Sequence, residues 1–296
     1  MDLFLNRDWP EIVSRAMVGG MMSTNFSVAQ ALKAAVTFVP RAWAGAWLVL
    51  LLMLVATISL PLILMNHPMP LIVLPAGLVL VLFVLKLIAQ GSLYRIALFG
   101  RDAKAEGLGF GGLQIGAPEL RLFWAAVVVS LFVLMIAATI GIVFAIAFSM
   151  SGLAAGYDSS LAAVCTLIKR HSGKDYVFIL YILAGLCLLI FLSLKLVLVP
   201  VANIAGRKLV TLNALGLTTG YVGRLFLGLA VIVLPFLLIG AAMAHYSGAD
   251  IHAGHVSGAR VTLHGALLIL DIFGLFPLIV GFLASAYRQI MAIRSK

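Results

Sequence analysis

Asp271 is the side chain with the most chemistry to offer, because it stands inside the apolar run LLILDIFGLF. A carboxylate in that position must be neutral, paired or in contact with water, since an isolated charge in hydrocarbon is costly. Such a residue suits a proton or ion relay or a substrate contact, and equally a hydrogen bond that packs two helices. Three basic residues stand at comparable places: Lys86 in VLKLIA, Lys195 in SLKLVLV, and Arg95 shortly after Lys86. Long basic side chains near the end of a membrane helix snorkel toward the interface. The alternative to simple snorkelling is a cytoplasm-facing basic vestibule of Lys86, Arg95 and Lys195 that meets anionic lipid headgroups.

The third group is HYSGADIHAGH, which supplies His245, Asp250, His252 and His255. Imidazole and carboxylate are zinc ligands, but the spacing matches no catalytic pattern, and Gly and Ala fill the gaps as in an ordinary loop. Other signatures are absent. GLGFGG at 107–112 has neither the strand before it nor the lysine of a phosphate-binding loop, and reads as a flexible linker. Cys165 and Cys187 are the only cysteines and form no CxxC. No Ser-His-Asp order, HExxH or paired acid set is present. No catalytic residue and no cofactor is therefore assigned.

The elements that must hold these residues follow from composition. Of 296 residues 64% are hydrophobic and 10% charged, with mean hydropathy +1.18. A soluble domain would need far more polar surface. No Asp, Glu, Lys or Arg occurs between Arg41 and Lys86, and NHPMP at 66–70 splits that interval into spans of roughly 43–65 and 70–93. Four more spans follow, from Arg121 to Met150, Tyr176 to Ile204, Arg224 to His245, and over 262–286. Each is long enough to cross a hydrocarbon layer about 30 Å thick as a helix. Lipid leaves no partner for open strand edges, so an all-α, six-helix transmembrane bundle is expected.

The net charge of +10 has a topological explanation. Lys and Arg concentrate in 1–42, 95–121, 207–224 and 288–296, which alternate to one side. Only Lys169, Arg170, Lys174 and Arg260 fall on the other. The positive-inside rule then puts both termini in the cytoplasm of an inner-membrane, multi-pass protein, with lipids as partners and no role for nucleic acid. The expected layout is a cytoplasmic segment 1–42, a membrane domain 43–286 and a tail 287–296. Within the first segment, 26–40 is expected to form an interfacial helix with Phe26, Val28, Leu32, Ala35 and Val36 on one face, ended by Pro40. Pro61, Pro235 and Pro277 are candidate kinks, and Ala137, Gly141 and Ala145 form a small-residue ridge that predicts close helix packing.

The chain also repeats itself. GR at 100–101 leads to RLF at 121–123, GR at 206–207 leads to RLF at 224–226, and Arg41-Ala42-Trp43 is a weaker third start. SLYRIAL at 92–98 echoes SAYRQIM at 285–291. Three helical hairpins, each preceded by a polar segment, account for this pattern.

The segment LGLTTGYVGRLF at 215–226 resembles a pattern in bacterial membrane proteins of the glycerophosphoryl diester phosphodiesterase membrane-domain type. Leu217, Thr218, Gly220, Arg224, Leu225 and Phe226 match, whereas Leu215 and Gly223 stand where that pattern has tryptophans. The resemblance implies a multi-span fold and supplies no catalytic residue. The leading expectation is a non-enzymatic membrane protein that handles lipid or supports an envelope complex, as a homo-oligomer or complex subunit. The alternatives are a proton-coupled transporter or channel using Asp271, and a membrane enzyme with a histidine metal site on the outer face.

Overall fold

The computed structural model describes residues 26–66, 73–150, 175–207, 209–248 and 265–295. Among these residues the protein is all-α. Six helices are long and apolar enough to cross a membrane, within Val28–Ser59, Gly77–Lys104, Phe110–Ile146, Leu180–Gly206, Val222–Met243 and Gly265–Arg294. The chain is a multi-pass membrane protein. Its helices are α1 (Val28–Asn66), α2 (Val73–Phe99), α3 (Ala117–Met150), α4 (Asp175–Leu196), α5 (Val199–Gly206), α6 (Val222–Gly248) and α7 (Phe276–Arg294). Residues 265–270 and a π turn over Asp271–Leu275 lead into α7 and complete the last span.

α1 departs most from expectation. At 1.5 Å per residue its 39 residues would reach about 58 Å, nearly twice a hydrocarbon layer. It runs through Pro40 and Pro61 without a break, and its one non-helical residue is Ala46 (φ −126°, ψ 20°). Pro40 therefore does not end a separate helix over 26–40. The piece before Ala46 lies antiparallel along the last span. Ser27 N–H donates to Gln289 Oε1, a Cβ on Gly281 would meet Phe38 and Ala35, and Trp43 Nε1–H donates to the Phe273 carbonyl at 2.7 Å. Its buried face is Ala31, Ala35, Phe38 and Ala42, while Val36 is exposed. The small residues on that face bring two backbones together.

The packed core sits at one end of the bundle. This is the end where the two polar linkers, 100–116 and 207–221, are found, and it is called the linker end below. The buried stretches of the even-numbered spans all lie there: 87–96 in α2, 196–204 across α4 and α5, and 280–290 in α7. The repeated starts contribute alike, since Ala42, Leu122 and Leu225 are each buried. Ser92 and Tyr94 of one echo, and Ser285 and Tyr287 of the other, are buried too. Away from this end Leu131, Leu134, Leu180, Leu183, Leu234 and Leu237 are exposed.

Helix breaks arise from specific chemistry. α4 stops at Leu196, two residues run as a turn, and α5 starts with Pro200 in its first turn. Proline is tolerated there because its missing N–H would have no helical partner. The last span widens to a π turn immediately before Pro277. The α-helical partner of the Phe273 carbonyl would be the N–H that Pro277 lacks, and the Trp43 indole supplies that bond instead. Pro235 sits inside an uninterrupted α6. The ridge at Ala137, Gly141 and Ala145 makes no close approach at its centre, as nothing lies within 4 Å of a Cβ on Gly141. α3 instead meets α4 through Ile140, whose carbonyl accepts from Tyr181 Oη and whose side chain faces Gly185.

Candidate functional site

Two polar centres are built on this frame. The first is the junction at the linker end. Arg95 of α2 pairs with Glu119 of α3, Nη2 to Oε1 at 2.8 Å, and their side chains are only 4% and 6% exposed. Glu119 falls in the first turn of α3, where free backbone N–H groups favour an anion. Gly91, one turn before Arg95, leaves the room: a Cβ there would lie 2.9 Å from Glu119 Oε1. Gln114 Nε2–H also donates to Oε1, while its Oε1 accepts from Gly109 N–H. Glu119 Oε2 is buried with no hydrogen-bond partner. Desolvating two charges is costly, so the pair holds α2 to α3 only as long as both members remain.

The linkers are knotted into this junction. Gly112, at φ +85°, puts its backbone against the Ala46 break, with a hypothetical Cβ 3.0 Å from Ala46 Cα, so no larger residue fits. Phe110 packs edge-on to Trp47. GLGFGG is thus a shaped turn rather than a loose tether. In the second linker, buried Asn203 of α5 donates to the carbonyls of Val199 and Val210 and accepts from Val210 N–H. Thr218 donates to the Lys195 carbonyl at the end of α4, where helix carbonyls lack partners. Arg224 donates to the Phe26 carbonyl, Arg294 to the Gly216 carbonyl, and Arg207 pairs with Glu106 across the two linkers.

The second centre is a cavity of about 350 Å³ between α2, α3, the α4–α5 turn and the last span. This is at the lower end of the range for ligand pockets, about 300–1,000 Å³. Its walls are apolar (Leu122, Ala126, Leu196, Phe276, Ile279) and its polar groups are Gln90, Tyr94 and Ser130.

The sequence candidates distribute unevenly over these centres. Arg95 does not line a vestibule, because its guanidinium is turned inward to Glu119. Lys195 is half-buried, with its ammonium over the Phe191 ring at 5.3 Å. Lys86 is exposed. Asp271 opens the π turn, also exposed, and no ion pair within 4 Å joins the two. Asp250, His252 and His255, with the side chain of His245, lie outside the described residues. Among the described residues no group of His, Cys, Asp and Glu is placed to hold a metal.

Glu119 and Asn203 went unmarked in the sequence, and Trp43 was marked only as part of a repeated span start. Glu119 carried a usable signal: Pro118-Glu119 in the first turn of a helix is a start signature, and its acid needs a partner if the turn is buried. Asn203, inside VANIAG, had none. No family model, curated protein or solved structure matches this chain. The membrane-domain resemblance gains no family support, and the structure gives its matching residues local work. Thr218 satisfies a helix end, Gly220 takes φ +87°, Arg224 holds the start of α1, and Leu225 fills the core.

Proposed function

We propose that this chain is a non-catalytic protein of the cytoplasmic membrane that holds a lipid chain in the lateral cavity, as a homo-oligomer or a subunit of an envelope complex. The carrying observation is the cavity itself: a half-open, largely apolar recess between spans, next to the most rigidly tied part of the molecule. Hydrocarbon is the ligand that its walls match, and Gln90 and Tyr94 offer a polar contact at the edge. Both linkers, residue 26 and Arg294 meet at one end of the bundle. With their basic residues, that end belongs in the cytoplasm, together with both termini.

Native mass spectrometry of the protein released from membranes tests this reading. A lipid should remain bound to the wild type and be lost from Ala126→Trp, which fills the cavity. A wild type that retains no lipid under conditions preserving its fold would refute it.

Transport through Asp271 is a second reading, favoured by the π turn. Single π turns inside membrane helices recur at working sites. In proteoliposomes, Asp271→Asn should then assemble normally and lose a proton- or ion-coupled flux. Unchanged flux would leave Asp271 a packing residue.

A further inference from the structure

The exposure of the cavity wall changes in the same direction on the three long helices that form it. In α2, which runs toward the linkers, Gln90 is half-buried, and Tyr94, one turn nearer the linkers, is buried. In α3, which runs away from them, Leu122 and Ala125 are buried, Val129 is half-buried and Ser130 is exposed. In α7, which returns toward the linkers, Phe276 and Ile279 are half-buried, whereas Val280 and Leu283 are buried. Arg95 and Glu119 follow on the linker side of Tyr94 and Leu122, and their buried ion pair closes that side. The cavity is therefore a blind cup, with its base toward the linkers and its mouth toward the far halves of the spans.

Depth then restricts what can enter. Ser130, at the mouth, stands about 20 Å along α3 from Ala117, and Leu122, at the base, lies about 12 Å nearer the linkers. In a hydrocarbon layer about 30 Å thick, the mouth opens near mid-depth. A phospholipid of the linker-side leaflet has its headgroup beyond the base, so its chain could fill the cup only by doubling back. Carrying that headgroup to the mouth instead would place ions in hydrocarbon, which is costly. Among the described residues no carboxylate, ammonium, guanidinium or imidazole lines the wall to offset such a charge. The polar groups toward the mouth are the Gln90 amide and the Ser130 hydroxyl, which suit an uncharged hydroxyl or carbonyl.

We propose that the cup takes an uncharged single-chain lipid from the middle of the bilayer, with its hydrocarbon end at the base and its hydroxyl or carbonyl toward Gln90 and Ser130. The inference rests on the lipid-holding reading and narrows it to lipids without a charged headgroup.

Photolabelling of the full chain in phosphatidylcholine nanodiscs tests it. One probe is dodecanol with a diazirine at its chain end, and the other is a phosphatidylcholine carrying the same group at the end of one chain. Labelled positions are read by mass spectrometry, with label at exposed Leu237 as the common reference. Dodecanol should label Leu122, Ala125 and Leu283 at least about tenfold more than the phospholipid does, given the cost of a charge at mid-membrane. Ala126→Trp should abolish label at the base. Gln90→Leu removes one hydrogen-bonding group and should lower it about two- to tenfold. This variant keeps the volume of the cup, so it tests the proposal even if Ala126→Trp assembles poorly. Equal labelling of the base by the two probes, or unchanged labelling in Gln90→Leu, would overturn the inference while leaving lipid holding intact. No label at the base from either probe would overturn both.

Discussion

The linker end and the far halves of the spans are made from the same apolar alphabet, yet they are organised differently. At the linker end, Arg95, Glu119, Asn203, Ser92 and Thr218 are buried beside Tyr94, Phe282 and Leu225. In the far halves, the described parts of the spans expose leucine after leucine, and α3 and α4 touch through Ile140, Tyr181 and Gly185. In water such exposure would be untenable, but in a bilayer apolar surface carries no penalty and helix association gains little from burying it. What organises the bundle is therefore close backbone approach and polar satisfaction, and this protein concentrates both where the linkers return. The far halves depend on lipid or on partner chains to cover them.

Stability measurements test this contrast. The largest effect is expected at the buried ion pair. Arg95→Ala or Glu119→Ala leaves one uncompensated charge and should cost about 3–5 kcal/mol, whereas Arg95→Met with Glu119→Leu should recover most of that loss. Reversible unfolding in mixed micelles measures it, with Leu134→Ala in the far half expected within about 0.5 kcal/mol of wild type. Equal losses at both ends would remove the distinction.

Two glycines make the next comparison. A Cβ at Gly281 would lie 2.8 Å from Phe38 Cδ1 and 3.1 Å from Ala35 Cα, while one at Gly141 meets nothing within 4 Å. Gly281→Ala should destabilise by about 1–3 kcal/mol. Gly141→Ala should stay within about 0.5 kcal/mol, measured in the same unfolding assay. A smaller effect is expected at Trp43→Phe, which keeps the ring but removes the donor to the Phe273 carbonyl. Hydrogen bonds between membrane helices average about 0.6 kcal/mol, so the shift should be of that order. A larger loss would mean that the π turn is held by Trp43 alone.

The sequence was most legible where a single residue's chemistry decides its place. Uninterrupted apolar runs predicted six spans, and Asp271 stood out because an acid in such a run is conspicuous. It was least legible where two distant segments decide together. Arg95 read as a boundary cation because nothing nearby in sequence reveals Glu119, and the gap that admits Glu119 is a missing side chain at Gly91. Pro40 read as a stop, but a helix packed along its whole face on the last span tolerates one lost bond. The break at Ala46 had no local signal, because it is the approach of the Gly112 backbone that marks it. GLGFGG read as flexible for a sound reason, since glycines do loosen free chains, yet here they let the backbone fold tightly against α1.

The linkers are built parts of the core. Amide hydrogen exchange in bilayer nanodiscs tests it most directly, because the linkers lie outside the stretch that lipid itself protects. Gly109 N–H is bonded to Gln114, Leu113 N–H to the Phe110 carbonyl and Val210 N–H to Asn203. These amides are expected to exchange orders of magnitude more slowly than free peptide, and Asn203→Leu to release Val210 while leaving Gly109 protected. Free-peptide exchange at Gly109 and Val210 in the wild type would contradict it.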